Sequence, residues 1–147
     1  MTAAQTHADS AHTAGARGDA HGYDHHAPGD RLFFGRGRHT PTILQTEAAE
    51  CGLACLAMIA GHHGHHATLP ALRRRFSLSL KGITAERLIE MADALGLQCR
   101  PLRLEMDEIG QLQTPCILHW DLDHFVVLQQ IRKRHIVILD PAIGERR

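Results

Sequence analysis

"QTEAAECGLACLAMIAGHHG" runs from Gln45 to Gly64, and the reading of the whole chain turns on it. From Glu50 to about His62 the stretch is rich in Ala, Leu and Met, all strong helix formers. Its apolar residues fall on nearly every face, so the helix is expected to be buried. Thr46 to Glu50 supplies polar and acidic residues where a helix N-terminus favours them. Gly61 and Gly64 are expected to end the helix. Cys51 stands in the first turn, where unsatisfied backbone N–H groups and the positive end of the helix dipole stabilise a thiolate, the nucleophilic form of the side chain. Gly52 removes bulk beside the sulfur, where a substrate backbone would approach. Cys55, one turn deeper, has the place of a structural cysteine. Gln45 lies upstream and can return over the helix start, so that its amide and the Cys51 N–H together could bind an oxyanion. Taken singly, each residue also fits a plain role, a core cysteine or a surface glutamine.

The segments after this helix alternate in character. "ATLPALRRRFSL" reads as a short helix with Thr68 as N-cap and Pro70 in its first turn. Arg73 to Arg75 are expected on its solvated face. "GITAERLIEMADALG" is amphipathic, with Ile83, Leu88, Met91, Ala92 and Leu95 at helical spacing and Gly96 as its stop. "LQCRPLRL" alternates like a strand, and Pro101 suits a sheet edge. "EMDEIGQLQ" reads as a short helical or turn segment. "PCILHW", "HFVVLQQI" and "HIVILD" are strands rich in branched and aromatic residues. Helices first and strands second argue for an α+β fold with segregated layers.

"HFVVLQQI" and "HIVILD" flank "RKR" and should form an antiparallel hairpin. If Ile131 pairs with His135, Val126 opposes Asp140. His124 then shares a face with Asp140 as its diagonal neighbour, within hydrogen-bond reach. An acid so placed holds an imidazole in one tautomer and stabilises its protonated form. A slip of one residue in this register would put the two on opposite faces. A helix-borne Cys, an amide donor before it and a strand-borne His with an Asp form the arrangement of a papain-like peptidase.

Composition sets the outer bounds. The 147 residues suffice for one domain with a core. Lys and Arg number 16 against 16 Asp and Glu, which leaves no strong field to recruit nucleic acid or anionic lipid. No apolar run approaches the roughly 18 residues of a membrane span, and no secretory signal is legible. Without an export signal, Cys51, Cys55, Cys99 and Cys116 are expected as free thiols rather than disulfides. No paired CxxC suggests structural zinc. Residues 1–38 are a His-, Gly- and Ala-rich stretch without hydrophobic periodicity, expected as a disordered tail. Its histidines (His7, His12, His21, His25, His26) and the run His62 to His66 could hold metal loosely, although a polar tail and a solvated loop account for them as well.

The segments "QTEAAECGLACLAMIAGHHG", "LKGITAERLIEMADALGL", "TPCILHWDLDHFVVL" and "ILDPAIGERR" closely resemble the N-terminal peptidase domain of bacteriocin-exporting ABC transporters of the colicin V exporter type. The resemblance covers about residues 40 to 147. It implies a papain-like cysteine peptidase that removes a double-glycine leader from a bacteriocin-like precursor as a transporter exports it. Carried over, Cys51 resembles the nucleophile, His124 the general base and acid, Asp140 its orienting partner and Gln45 the oxyanion donor. The implied peptidase needs no metal or organic cofactor; ATP and Mg belong to the transporter's ATPase domain, which this chain lacks. The implied partners are the leader peptide and the transporter's membrane and ATPase domains, in cis or in trans, with no nucleic acid. The implied place is cytoplasmic, at the inner face of the bacterial plasma membrane. The chain is expected to divide into the tail, 1–38, and a peptidase domain, 39–147. Set against the family, that domain looks truncated at its C-terminus. Two rivals remain: a docking domain that binds leaders without cleaving them, as in related haemolysin-type exporters, and a histidine-rich metal-binding protein.

Overall fold

The computed structural model describes residues 2–8, 39–77, 82–121 and 123–147. Helix α1 (Cys51–His62) forms where its composition predicts, and every residue from Cys51 to Ala60 is buried. Gly61 lies inside its last turn rather than beyond it. A Cβ there would stand 2.7 Å from Pro41 Cγ, so this glycine permits close packing. The chain turns at Gly64, whose φ of 85° favours glycine. Helix α2 (Leu69–Arg75) starts at Thr68, whose hydroxyl accepts the Ala71 N–H. Helix α3 (Ala85–Ala94) starts at Thr84 in the same way and buries Leu88, Met91 and Ala92 of its expected apolar stripe, while Ile83 and Leu95 flank the helix, partly buried.

Six strands form one antiparallel sheet, in the order β2-β1-β3-β4-β5-β6. They are β1 (Thr2–Ala8), β2 (Leu97–Arg103), β3 (Cys116–Trp120), β4 (His124–Ile131), β5 (Ile136–Asp140) and β6 (Gly144–Arg146). The "EMDEIGQLQ" segment holds a 3-10 helix over Met106–Gln111. One sheet face carries Leu97, Ile117, Phe125, Val127 and Leu139 into a core shared with all three helices. The other face gathers Ala3, Leu104, Cys116, Leu118, Val126 and Leu128, with Ile109 and Leu112 packed against them.

Two features differ from the sequence reading. Thr2–Ala8, expected within a disordered tail, is a strand that pairs with β2 along its whole length and with β3 from Thr2 to Ala4. Its residues carry little apolar surface. Backbone pairing on both sides, a long-range cause, is what makes them a strand. Residues 9–38, the rest of that expectation with four of its five histidines, lie outside the described residues. The second feature is β6, for which the sequence reading named no strand; it pairs with β5 from Asp140↔Gly144 to Ile138↔Arg146. No helix among the described residues is long and apolar enough to cross a membrane.

Candidate active site

The β4–β5 hairpin brings His124 and Asp140 together, though by a different route from the expected one. At the turn, Ile131 pairs with Ile136 rather than His135. Continued unchanged, that register would have put the two residues on opposite faces. A bulge between Leu128 and Gln130 takes up one residue of β4, and beyond it Leu128↔Ile138 and Val127↔Leu139 restore the register first inferred. His124 Nε2 therefore meets Asp140 Oδ1 at 2.9 Å. The same carboxylate oxygen accepts the Ala142 N–H at 2.9 Å, which fixes the acid from the turn side.

Cys51 opens α1 and is nearly buried, at 7% exposure. Its neighbour Gly52 is packed so closely that a Cβ would lie 2.5 Å from Ile83 Cδ1 and 3.1 Å from Phe125 Cδ2. Phe125 directly follows His124, so the residue after the cysteine and the residue after the histidine pack against each other. Phe125 is held in turn by His119, whose ring stacks on it at 4.3 Å and 7°. Gln45 donates its backbone N–H to Pro141 O at 2.9 Å, one residue past Asp140. Its side-chain Oε1 is buried and finds no hydrogen-bond partner among the described residues. Leaving such an atom unpaired costs on the order of 1–3 kcal/mol, and atoms of this kind call for an explanation. The four residues singled out in the sequence thus gather around the N-terminus of α1 and the adjoining ends of β4 and β5.

All four cysteines are free. Burial pushes the Cys55 thiol well above its ordinary range. Burial also raises Cys116, to about 12. Cys99 is raised to about 11 by burial, with a further push from Asp93. No group of three or more His, Cys, Asp or Glu suited to a metal ion occurs among the described residues.

Sequence reasoning missed a second polar cluster beside the site. Glu50, read as an acidic residue greeting the helix dipole, makes no side-chain cap hydrogen bond to α1, accepts the Glu47 N–H ahead of it instead, and is 2% exposed. Arg73 is exposed, as expected of the solvated face, yet its Nε donates to Glu50 Oε1 at 2.5 Å. Burial pushes the Glu50 carboxyl up, but hydrogen bonds from Arg73 and Thr46 outweigh it and hold the group below the ordinary carboxylate value. The one signal in the sequence was an acid abutting a wholly apolar run, which has to find a cation or donors once buried.

The match to known proteins covers this same stretch of chain. Residues 39–147 match the Peptidase C39 family. This chain belongs to that family. Over 109 residues it is 53% identical to the colicin V secretion/processing ATP-binding protein of Escherichia coli and 52% identical to the probable microcin-H47 secretion/processing ATP-binding protein of the same organism. Each alignment covers 74% of this chain and 16% of the relative, so the chain spans about a sixth of the length of these curated C39 relatives. Among solved structures, a double glycine motif protease from an AMS/PCAT transporter, in complex with the leader peptide, superposes with a TM-score of 0.69 at 35% identity. That match covers 76% of this chain and 81% of the other. The α+β reading holds, and the helices packed on an antiparallel sheet are those of the papain-like C39 peptidase domain.

Proposed function

We propose that this chain is a cysteine endopeptidase that cuts a bacteriocin-like precursor after a double-glycine leader. Cys51 is the nucleophile, His124 the general base and acid, Asp140 its orienting partner and Gln45 the oxyanion donor. The observation that carries the reading is the His124–Asp140 hydrogen bond, set beside a helix-borne cysteine by the contact of Gly52 with Phe125. With Nε2 engaged by Asp140, Nδ1 is the nitrogen left to take the thiol proton. The Cys51 thiolate adds to the carbonyl carbon of the second glycine. Charge moves to the carbonyl oxygen, which accepts hydrogen bonds from the Cys51 N–H and the Gln45 amide. Collapse of this intermediate breaks the C–N bond. The protonated His124 gives its proton to the leaving amine, and the leader remains as a thioester. His124 then takes a proton from water, whose oxygen adds to the thioester carbon and releases the leader carboxylate and the thiol.

These steps draw only on side chains and backbone of the chain. ATP enters the proposal through a transporter, as in relatives named as secretion/processing ATP-binding proteins. The partners are the leader peptide and the membrane and ATPase domains of an ABC transporter, in the same polypeptide or in another. The peptidase acts at the cytoplasmic face of a bacterial plasma membrane. Its unit is residues 39–147, with Thr2–Ala8 completing the sheet.

The test is turnover of a synthetic precursor peptide with a Gly-Gly junction, followed by mass spectrometry. Cleavage after the second glycine is expected, lost in Cys51→Ala and largely kept in Cys55→Ala. A parent protein that binds the peptide and leaves it intact would make a docking domain the better reading.

A further inference from the structure

The Cys51 end of α1 is tied to the segment leading from Gln45 by side chains that no step of the proposed reaction uses. Glu50 Oε2 accepts the Thr46 hydroxyl at 2.8 Å and the Thr46 and Glu47 N–H groups at 3.2 Å each. Glu50 Oε1 accepts from Arg73 Nε, and Arg73 Nη2 closes the ring by donating to Thr46 Oγ1 at 2.7 Å. Each acceptor on the buried carboxylate is thus committed to one direction.

Glu50 is buried but Arg73 is 41% exposed, so solvent screens much of the attraction and the pair is a poor device for stability alone. What this one supplies is geometry. Gln45 is gripped on one side, where its N–H meets Pro141 O at 2.9 Å, and the brace holds its other side through Thr46. Cys51 directly follows Glu50. The two oxyanion donors of the proposed reaction, the Gln45 amide and the Cys51 N–H, therefore each adjoin a residue of the ring.

We infer that Thr46, Glu50 and Arg73 form a positioning unit that sets Gln45 against Cys51 and so shapes the oxyanion site. The inference rests on the cysteine-peptidase reading above. None of the three residues is assigned contact with a reacting atom; they act through Gln45, whose place beside Cys51 they fix. The unit spans two elements, since Arg73 comes from α2, so α2 has a part in the chemistry although it carries no residue of the proposed reaction.

Two probes in the full chain separate this role from a general structural one. The first is a synthetic precursor peptide with a Gly-Gly junction. The second is iodoacetamide, which alkylates a thiolate by displacing iodide and develops no carbonyl oxyanion. Arg73→Ala is expected to lower kcat by about tenfold to hundredfold, the scale of a small misplacement. KM should stay within about threefold, as for an interaction made only in the transition state. The rate of Cys51 alkylation should stay within about twofold of the parent, because the thiolate itself is untouched. The Gln45→Ala/Arg73→Ala double variant should be no slower than Gln45→Ala alone, since one residue acts through the other. Arg73→Lys, which keeps the charge but not the fork, should recover part of the loss. The inference is overturned by an unchanged kcat, by alkylation falling in step with kcat, or by losses that multiply. Should Arg73→Ala fail to fold, Thr46→Val removes the hydroxyl that closes the ring and carries the same comparisons. A parent that leaves the peptide uncut overturns the peptidase reading and this inference together. A parent that cuts, with Arg73→Ala cutting equally well, overturns only the brace.

Discussion

His124 Nε2 and Asp140 Oδ1 stand 2.9 Å apart because a bulge in β4 corrects the hairpin register just before it reaches them. Asp140 Oδ1 also accepts the Ala142 N–H, a bond that an asparagine oxygen can keep. Asp140→Asn should therefore fold like the parent while losing the charge that stabilises the imidazolium. A fall in kcat of about 10²- to 10⁴-fold is expected, bounded by the loss seen for such a change in Ser-His-Asp enzymes. Melting temperature and peptide turnover measured on the same sample check this. A variant that turns over at the parent rate would remove Asp140 from the site.

The thiol environments predict an order of alkylation. Cys55 and Cys116 are fully buried and pushed up, and Cys99 is raised to about 11. All three should be almost wholly protonated at neutral pH and slow toward iodoacetamide. Cys51, at the N-terminus of a helix, is expected to be labelled first, by at least about tenfold. Peptide-resolved mass spectrometry of folded protein gives the order directly. Labelling of Cys99 ahead of Cys51 would contradict the nucleophile assignment.

Gly52 has no room for a methyl group. Its Cβ would stand 2.5 Å from Ile83 Cδ1 and 2.8 Å from Ile83 Cγ1, with the Phe125 ring at 3.1 Å. Gly52→Ala should cost about 1–3 kcal/mol by overpacking and slow turnover by moving Phe125 and hence His124. Ile83→Ala removes both Ile83 atoms from the clash, so the double variant should regain turnover relative to Gly52→Ala. Denaturant unfolding and kcat for the two variants test the pair. If Gly52→Ala matches the parent in both, the packing that joins Cys51 to His124 is looser than described.

How much of this was legible in the sequence follows from the range of each cause. Helix α1 and its burial were legible because composition within one segment decides them. Thr68 and Gly96 marked helix ends through local chemistry. The hairpin was legible as a hairpin, but the bulge was not, because nothing in "HFVVLQQI" singles out the residue the sheet leaves unpaired. The two errors near the hairpin cancelled: the turn pairs one residue off, and the bulge returns it. Strand β1 was illegible because "TAAQTHA" has neither branched apolar residues nor alternation; its pairing partners lie about a hundred residues away in the chain. The Glu50–Arg73 pair spans 23 positions, and a run of three exposed arginines does not announce which one reaches the buried acid.

Stability in acid should carry the mark of Glu50. Its folded-state pKa lies below the ordinary carboxylate value: burial raises it, but the hydrogen bonds from Arg73 and Thr46 lower it further. A depressed carboxylate contributes stability that is fully present above its unfolded pKa and is lost as pH falls through its folded pKa. The parent should therefore weaken as pH drops below about 4.5, the ordinary value of the group. In Glu50→Gln that part of the acid slope should be absent, with lower stability at pH 7. Urea midpoints from pH 7 to about pH 3 provide the comparison. Parallel slopes for the two proteins would mean that the carboxylate is not held as described.

The final prediction concerns β1, the one strand among the described residues that lies outside the stretch matching the family. It lies between β2 and β3, so removing it leaves facing edges on both with unpaired N–H and C=O groups. Ala3 is fully buried against the second core, and only a small side chain suits that place. Deleting residues 1–8 should lower the melting temperature by at least about 5 °C, equivalent to roughly 2 kcal/mol for a domain of this size. Ala3→Asp keeps the strand's length but buries an unpaired carboxylate, and should lower it comparably. Ala4→Thr, at a half-buried position on the same strand, should melt close to the parent and serve as the control. The effect should reach the site as well. Thr2 pairs with His119, whose ring stacks on Phe125, the residue next to His124. Loss of β1 is therefore expected to lower kcat even at temperatures where the shortened chain remains folded. Melting by circular dichroism and turnover at 20 °C test the two halves separately. If the truncated chain and Ala3→Asp both melt and turn over like the parent, β1 is not part of the folded sheet and the peptidase unit begins at residue 39.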